Sequence, residues 1–406
     1  MSGKSIVVLA TLDTKGHEAQ FLREQIEKSG DKALVVDTGV TGQPAASADI
    51  TRRQVAEAGG TVLDQLLENP DRQVAAPVMA DGATKLVTEL AKASQIHGVI
   101  GLGGTQGTTL CTKVMRALPY GLPKVMVSTM ASGNVAPWVD IKDITMMFSV
   151  ADILGLNPLT RKILANAAGA VCGAANVELT LETSDKPLVA VTTVGITTQG
   201  AMKAIEVLEA SGYETITFHA IGAGGRAMEQ LMREGVIGAV LDYATIEVSN
   251  QMFDAMLAAD DDRLTTAGEL GLPQVLCPGA IEVLVFGEPD TVPAPFNQRT
   301  LIHHSPQITD VRLDKQEMIR VGEEVAKRLA HTTDEAVFLI PTAGYDSYAV
   351  EGQGFFDPEA DAAFAQTLRA NLPKSIKVIE RDTHIDDPAF ATEAAHELIR
   401  LMAARP

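Results

Sequence analysis

The sequence predicts an α/β protein of two successive domains, each a mostly parallel sheet flanked by helices in a Rossmann-like, doubly wound arrangement. Short β-branched and apolar runs alternate with amphipathic helical patterns, which is typical of parallel strands joined by crossover helices. The alternation stops in a polar stretch at residues 176–187 and then restarts. A chain of 406 residues also exceeds the usual size of one core, and its 46% hydrophobic but 4% aromatic residues indicate aliphatic packing.

The first predicted domain, residues 1–184, opens with a strand, a helix and a second strand. Residues 6–10 form a buried apolar run, and the next helix carries Ala19, Leu22 and Ile26 on one face. Two strands joined by a crossover helix of this kind typically pair in parallel. The other predicted elements are the strand 33–37, helices over 51–68 and 82–94, and strands over 99–102 and 124–127.

A glycine-rich turn follows the predicted strand 99–102 and leads into a helix. Gly103 and Gly104 allow the turn, and Thr108 and Thr109 are predicted to cap the helix. Such a helix directs unpaired N–H groups and its positive dipole end at the loop, which suits a phosphate or carboxylate. The segment matches neither GxxxxGK[ST] nor the full dinucleotide GxGxxG pattern. An anion site and a tight turn needed only for helix packing both stay open.

Four polar loops are predicted to converge at one edge of this first sheet. In a parallel sheet the loops that follow the strands emerge at the carboxyl ends, where open α/β sheets bind ligands. The loops are LDTKG, DTGVTG, GGTQGTT and STMASGN.

The second predicted domain, residues 185–406, repeats the alternation of strands and helices. We place the boundary near Asp185, inside the aperiodic stretch. Interrupted strand patterns are expected in PQVLCPGAIEVLVFG and RTLIHHSPQITDVRL. The other predicted elements are a strand in VAVTTVG and its helix, a strand over 236–241, a helix over 314–329, the strand AVFLIP, a helix from Asp357, the strand in SIKVIE and a last helix from Asp387.

A second glycine corner joins a strand to a helix in this domain. It contains Gly222, Gly224, Gly225 and Arg226. A guanidinium beside three glycines at a helix start matches a phosphate in charge and geometry. An exposed first-turn arginine without a ligand explains the same pattern, so both interpretations stay open.

Two carboxylates are candidates for acid–base catalysis. Glu247, with Asp242, is predicted to follow a strand end, where a general base or a metal-bound carboxylate would lie. Asp346 lies in TAGYDSYAVEGQGFF, whose composition is typical of a loop that covers a site. The alternative for Glu247 and Asp242 is that they are ordinary loop carboxylates. The alternative for the segment around Asp346 is a surface loop packed by Phe355 and Phe356.

Three further groups are weaker candidates. His384 and the carboxylates of DTHIDD suit a divalent ion, but Asp387 is also expected to cap a helix, and a solvated acidic loop is favoured. His303 and His304 are adjacent, so their rings are not expected to reach one metal, and a single catalytic histidine is the alternative. Cys277 is predicted to be a buried structural thiol rather than a nucleophile.

Composition argues against several classes of function. A net charge of −19 without a run of Lys and Arg argues against a nucleic-acid surface. Three widely spaced cysteines without a CxxC spacing predict neither disulfides nor a cysteine zinc site, which favours a reducing compartment. No apolar run has the length needed to span a bilayer, so we expect a cytoplasmic protein with no membrane partner.

The assembled motifs give a resemblance over nearly the whole chain. The chain resembles the Tm-one-like family of ATP-binding proteins, a group of bacterial and fungal proteins whose plant relatives are the tobamovirus resistance proteins. The resemblance is carried by LATLDTKGHEAQFLR, VDTGVTG, IGLGGTQGTT, STMASGNVAPWV, FHAIGAGGRAMEQL, LDYATIEV, CPGAIEVLVFG, FFDPEADAAF and DTHIDDPAFA.

The resemblance implies two α/β domains, a homodimer and association with ATP. In the plant proteins this region binds and inhibits a viral replication protein, and those proteins continue into a barrel domain, so a separate barrel-domain protein is an implied partner here. No catalytic residue is carried over by the resemblance. The nucleotide site that it implies falls on Gly103, Gly104, Thr105, Gly107 and Thr108, with Thr129, Ser132 and Gly133 as neighbours.

Three functions are compatible with the sequence. The first is binding of ATP or a related phosphorylated small molecule, with Mg²⁺, at the glycine-rich loops of one domain or the other. The second is a metabolic enzyme for a small phosphorylated or carboxylated substrate held between the domains, with Arg226 on the anion and Glu247 or Asp346 as acid–base. The third is an interaction module that a nucleotide stabilises.

Overall fold

The computed structural model describes residues 3–68, 72–179 and 186–404. The chain divides into two compact units, Met1–Leu181 and Glu182–Pro406. The boundary predicted between residues 184 and 185 lies outside the described residues. Each unit is an α/β fold with a parallel sheet flanked by helices, so the predicted fold class is confirmed.

The N-terminal unit is built on five parallel strands in the order β2-β1-β3-β4-β5. Alternate residues of β1 enter different cores, because successive side chains of a strand point to opposite faces. Val7 and Leu9 pack in one core, and Ile6 and Val8 in the other. The strands are β1 (Ser5–Ala10), β2 (Lys32–Asp37), β3 (Gly98–Gly103), β4 (Lys124–Ser128) and β5 (Thr145–Phe148).

In the described part of this unit, seven helices cover the two faces of the sheet. They are α1 (Leu12–Lys28), α2 (Arg52–Ala58), α3 (Leu63–Glu68), α4 (Arg72–Lys92), α5 (Thr105–Arg116), α6 (Ala136–Val139) and α7 (Pro158–Ala175). Helices α1 and α7 pack in the core of one face, and α2 to α5 pack in the core of the other. The fold is therefore doubly wound, as predicted.

Several boundaries differ from the prediction. The helix predicted over 51–68 is two helices, because Gly59 ends α2 and Gly60 adopts φ +88°, which glycine tolerates. The helix predicted from residue 82 begins ten residues earlier, at Arg72. Strand β5 and helix α7 were not predicted.

The C-terminal unit contains nine strands within its described residues, 186–404. They are β6 (Leu188–Thr193), β7 (Thr215–His219), β8 (Ile237–Ala244), β9 (Gln274–Gly279), β10 (Val283–Phe286), β11 (Leu301–Ser305), β12 (Ile308–Arg312), β13 (Ala336–Pro341) and β14 (Ile376–Arg381). Six form a parallel sheet in the order β7-β6-β8-β9-β13-β14, and three form an antiparallel sheet in the order β10-β12-β11. The parallel sheet therefore repeats the 2-1-3-4-5 order of the N-terminal unit and adds one strand.

Seven α-helices and four short 3₁₀ turns complete the described part of this unit. The helices are α8 (Thr198–Ala210), α9 (Ala223–Arg233), α10 (Ile246–Met252), α11 (Thr266–Glu269), α12 (Lys315–Arg328), α13 (Pro358–Asn371) and α14 (Pro388–Ala403). Helices α8 and α14 pack in one core of the sheet, and α12 and α13 pack in another. The 3₁₀ turns are Gly195–Thr197, Pro289–Thr291, Phe296–Gln298 and Leu329–His331.

Candidate functional site

The strand order of the N-terminal unit places its topological switch point between β1 and β3. The chain leaves β1 into α1 on one face and leaves β3 into α5 on the other, which opens a crevice at the carboxyl ends of the strands. A cavity of about 400 Å³ lies there, within the usual range for small-molecule sites. Its lining residues are Thr11, Asp13, Thr14, Lys15, Thr38, Val40, Thr41, Ala76, Gly103, Gly104, Thr105, Gln106, Gly107, Leu110 and Asp152.

Three of the four loops predicted to converge line this cavity together. They are DTGVTG after β2, GGTQGTT, which leads from β3 into α5, and LDTKG, which is not a loop as predicted but the beginning of α1. The fourth loop, STMASGN, joins the corner only at its start, where the Thr129 N–H donates to the Gly103 carbonyl at 3.3 Å. Ser132 and Gly133 are exposed and are not among the lining residues.

The corner between β3 and α5 is shaped by close packing of backbone on backbone. A Cβ atom on Gly103 would lie 2.8 Å from the Gly107 Cα, so only glycine permits this approach. The helix begins at Thr105 with Gly104 as its N-cap, which corrects the predicted cap at Thr108 and Thr109. Thr108 lies one turn further on, buried, and its hydroxyl contacts the Gly104 carbonyl at 2.8 Å and the Ser128 Oγ at 2.7 Å.

The N-terminus of α5 opens into the cavity without a protein acceptor. Thr105, Gln106 and Gly107 all line the cavity, and in the described parts of the chain no acceptor is hydrogen-bonded to their N–H groups. The neighbouring helix α1 is different, because Asp37 Oδ1 accepts from the Leu12 N–H at 3.0 Å. Of the two helices at the switch point, α5 is therefore the one whose first N–H groups meet no carboxylate of the protein.

The remaining polar groups supply both signs of charge. Lys15 lines the cavity and donates to the Ile153 carbonyl. Asp13 Oδ2 accepts from the Thr41 N–H at 2.7 Å and from the Thr41 hydroxyl at 2.9 Å. Burial acts to raise the pKa of Asp13, but the Thr41 and Gly42 donors outweigh it and lower the pKa below its ordinary value. Asp13 is therefore an ionised carboxylate on the cavity wall, with Asp152 as a second acidic residue of the lining.

The second glycine corner already holds an anion that belongs to the protein. Glu247 Oε1 accepts from the Gly222 N–H at 2.6 Å and from the Gly225 N–H at 3.1 Å, at the start of α9. Gly222 adopts φ +81°, and Gly224 packs on the His219 carbonyl. An external phosphate at this corner would have to displace Glu247.

Arg226, the fourth residue of this predicted anion corner, follows these glycines in the first turn of α9. Its Nη1 lies 3.8 Å from Asp260 Oδ1, and its side chain is one-third exposed. The structure thus brings Arg226 close to an acidic residue of the protein.

A buried arginine holds Glu247 in place. Arg263 Nε lies 2.7 Å from Glu247 Oε2, and the guanidinium also contacts Asp242 at 2.5 and 2.6 Å and Glu229 at 3.6 Å. Burial raises the pKa of Glu247, while Arg263 and the glycine N–H donors act to lower it. The Glu247 side chain has no solvent exposure, so its carboxylate serves the α9 N-terminus and the ion cluster and is not offered to a substrate.

The position of Asp242 also differs from the prediction. It lies inside β8, not in the loop after it, because the strand extends to Ala244. Thr192 on the neighbouring strand donates its hydroxyl to Asp242 Oδ1 at 2.8 Å.

Asp346, the other predicted catalytic carboxylate, is also buried. Its Oδ1 accepts from the N–H groups of Tyr348 at 2.6 Å and Ala349 at 2.9 Å, so it shapes its own loop. Burial raises the pKa of Asp346 to about 7, against the lowering effect of these donors. Phe355 packs inside the unit, while Phe356 is partly exposed at 39%.

The raised pKa of Asp346 predicts a pH-dependent stability. The folded state binds a proton that the unfolded state loses near pH 3.8, so this group's contribution to the unfolding free energy falls as the pH rises from about 4 to about 7. The Asp346→Asn side chain keeps an acceptor oxygen but cannot ionise, so the variant does not lose stability in this way as the pH rises. We expect the variant to gain on the order of 2 kcal/mol over the native protein between about pH 4 and about pH 8 in urea unfolding. The exposed Asp290→Asn change is the control, and an equal gain there would contradict the assignment.

The weaker candidates have structural partners. Asp387 caps α14 through the Ala389 N–H at 2.7 Å, as predicted, and Asp386 accepts from the Gly200 N–H at 2.8 Å. His304 Nδ1 lies 3.0 Å from the Tyr348 hydroxyl. Burial raises the pKa of the Cys277 thiol well above its ordinary value, in line with a structural thiol. Within the described residues, no group of three or more His, Cys, Asp or Glu side chains is arranged to hold a metal ion.

Several residues of the cavity were missed as individual candidates. Lys15, Asp13 and Thr38 lie in segments that were predicted to converge, although the structure places Asp13 and Lys15 in α1 rather than in a loop, so the parallel-sheet pattern located them without assigning them a role. Asp152 lies in a segment for which the sequence predicted no element, and no sequence pattern pointed to it.

Comparison with known proteins establishes the family. Residues 4–180 match the model described as "Uncharacterised protein family (UPF0261) N-terminal domain", and residues 186–402 match the corresponding C-terminal domain. The chain belongs to the UPF0261 family. A UPF0261 protein of Clostridium tetani is 41% identical over 98% of this chain and 99% of its own length. A second, from Rhizobium meliloti, is 39% identical over 96% of this chain and 97% of its own length.

A more distant relative confirms part of the resemblance drawn from the sequence. The ToMV resistance protein Tm-1(GCR237) of Solanum lycopersicum is 31% identical over 98% of this chain and 55% of its own length.

Among solved structures, a putative UDP-N-acetylglucosamine 2-epimerase from Listeria monocytogenes matches 68% of this chain and 79% of its own, with 11% identity and a TM-score of 0.23. Across the described residues, no helix is both long and apolar enough to cross a membrane.

Proposed function

We propose that this UPF0261 protein binds a phosphorylated small molecule, with ATP as the first candidate, in the cavity of its N-terminal unit. One observation carries the proposal. The N-terminus of α5 presents N–H groups without a protein acceptor at the switch point of the sheet, whereas the starts of α1 and α9 hold the carboxylates of Asp37 and Glu247. Among the described residues, α5 is the one of these three helix starts whose N–H groups contact no carboxylate of the protein.

The lining residues of the cavity suit the parts of such a ligand. The N–H groups of Thr105, Gln106 and Gly107 face the phosphates, and Lys15 adds a positive charge. Gly103 and Gly104 permit the close approach, with Thr108 and Thr129 as buried or partly buried supports behind them.

A magnesium ion bound to the phosphates would find acidic partners on the same wall. Mg²⁺ commonly takes one or two carboxylates together with substrate phosphates and water. Asp13 and Asp152 line the cavity and supply such groups. Mg²⁺ is therefore part of the proposal as a companion of the ligand.

The structure does not support the two acid–base residues that the enzyme alternative requires. Glu247 and Asp346 are both buried, and each is hydrogen-bonded to backbone N–H groups of its own unit. Binding, rather than a named reaction, is therefore the function that the geometry supports best. The homodimer and the barrel-domain partner stay predictions.

A charge introduced at the α5 N-terminus tests the proposal. Thr105→Glu places a carboxylate at the first helical residue, which favours the helix dipole but repels a phosphate. We expect the variant to fold normally and to bind ATP at least about tenfold more weakly in calorimetric titration, with and without Mg²⁺. Gln316→Glu, which adds the same charge to the first turn of α12, is the matched control and should leave the affinity unchanged.

Two results would contradict this site. One is native affinity in a folded Thr105→Glu protein, and the other is the absence of saturable binding by the native protein at millimolar ATP. A phosphate-release assay on the same sample then separates turnover from binding alone.

A further inference from the structure

The C-terminal unit has a cavity of its own at the equivalent place in its sheet. The order β7-β6-β8 puts its switch point between β6 and β8. A cavity of about 230 Å³ lies beside it, between the loops that follow β6 and β7, the start of α10 and the antiparallel sheet β10-β12-β11. Most of the lining is apolar, with Val194, Ile196, Ile246, Val283 and Val285 among the residues.

One carboxylate interrupts this apolar lining. Asp310 lies in the middle of β12, opposite Val285 of β10 and Ile302 of β11, and it is 4% exposed. In the described segments of the chain, no hydrogen bond reaches its carboxyl group. Burial raises the pKa of Asp310 to about 6, and the nearby His304 acts to lower it, so the group is ionised at neutral pH. A buried charge of this kind is costly unless a donor or a cation meets it.

We propose that this cavity binds a small organic amine, with its ammonium group on Asp310 and its apolar body against the aliphatic lining. The site is independent of the proposed nucleotide site, because every lining residue belongs to the C-terminal unit. His219 and His304 are lining residues with exposed side chains, so they mark the solvent side from which the amine enters.

The chemistry of the lining excludes the other common ligand classes. A phosphate or carboxylate would meet the negative charge of Asp310 in a nearly apolar environment. The lining offers a bare metal ion one carboxylate and two histidines, but within the described residues no group of three or more His, Cys, Asp or Glu side chains is arranged to hold a metal ion. A purely apolar ligand would leave the carboxylate without a partner.

The volume indicates the size of the amine. An engineered apolar cavity of about 150 Å³ in another protein holds benzene. The present cavity of about 230 Å³ leaves room for a ring of that size with a short alkylamine chain. 2-Phenylethylamine is therefore the probe of choice.

Calorimetric titration of three matched probes into the full chain at neutral pH tests the proposal. 2-Phenylethylamine is expected to bind saturably and at least about tenfold more tightly than the neutral 2-phenylethanol, while 3-phenylpropionate should not bind. Equal affinities of amine and alcohol, or no saturable binding of the amine at about 5 mM, would overturn the proposal.

Substitution of the carboxylate locates the site. Asp310→Asn should weaken the amine at least about tenfold and leave the alcohol within about twofold, whereas Asp290→Asn, an exposed change in the same unit, should alter neither. Undiminished amine binding by folded Asp310→Asn protein would refute the assignment. Thr105→Glu should not affect the amine, so failure of the nucleotide site and failure of this site are separate results.

Discussion

Replacing Arg263 with methionine is expected to destabilise the C-terminal unit by about 4 kcal/mol, because it leaves buried carboxylates without their cation. The Arg263 side chain is 1% exposed and contacts Asp242, Glu247 and Glu229. Methionine fills much of the same volume, so the loss measures charge rather than a cavity. Urea unfolding should show the change as a lower midpoint with a similar slope.

A surface arginine provides the matched control for this substitution. Arg400 pairs with Glu335 at 2.9 Å and Glu397 at 2.8 Å, but its side chain is 43% exposed. Arg400→Met should therefore cost less than about 1 kcal/mol. The difference between the two variants should shrink at acid pH, because burial raises the pKa of Glu229 and of Glu247 and both then become protonated. Equal costs at neutral pH would show that the buried cluster contributes no more than a surface pair.

Replacing Gly103 with alanine is expected to damage both the fold of the N-terminal unit and its proposed site. The new Cβ would lie 2.8 Å from the Gly107 Cα, so β3 and α5 must move apart where they line the cavity. Overpacking of this kind typically costs about 1–3 kcal/mol. The variant should unfold at lower urea and bind ATP more weakly, because the α5 N–H groups shift with the backbone.

The adjacent glycine supplies the control. A Cβ on Gly104 would meet its nearest neighbour, Thr129 Oγ1, at 3.7 Å, which is an ordinary contact. Gly104→Ala should therefore cost less than about 1 kcal/mol, the usual effect of a weaker N-cap. If both alanine variants behave alike, close packing at Gly103 is not what shapes the corner.

The overall fold was predictable because local patterns specify it. The apolar runs of β1 and β3 and the amphipathic helix after each are read from neighbouring residues, and parallel pairing then sends their loops to one edge. The same logic located the segments that contain Lys15 and Thr38. Prediction failed at β5, a four-residue strand whose side chains are only partly buried and whose apolar pattern is correspondingly weak.

The group that contacts each helix N-terminus was not predictable, because it comes from a residue far away in the chain. Glu247 reaches Gly222 across 25 residues, and Asp37 reaches Leu12 across the same separation. Both glycine corners therefore look like anion sites in the sequence, and only the fold shows which one the protein fills itself. Asp310 is a comparable case, since its burial follows from the antiparallel pairing of β12 with two other strands.

The carboxylate at the start of α9 has a thermodynamic consequence for the whole chain. Glu247 is part of the chain, so its contribution does not depend on the concentration of any ligand in solution. An anion at α5 has to come from solution, and a ligand that binds only the folded state stabilises it by about 2.7 kcal/mol at a hundredfold excess over its Kd. Under the proposed function, the stabilisation at the α5 N-terminus rises with the logarithm of the nucleotide concentration above its Kd, while the Glu247 contacts at the α9 N-terminus do not depend on that concentration. A single polypeptide would then contain one helix start whose stability follows the nucleotide supply and one whose stability does not.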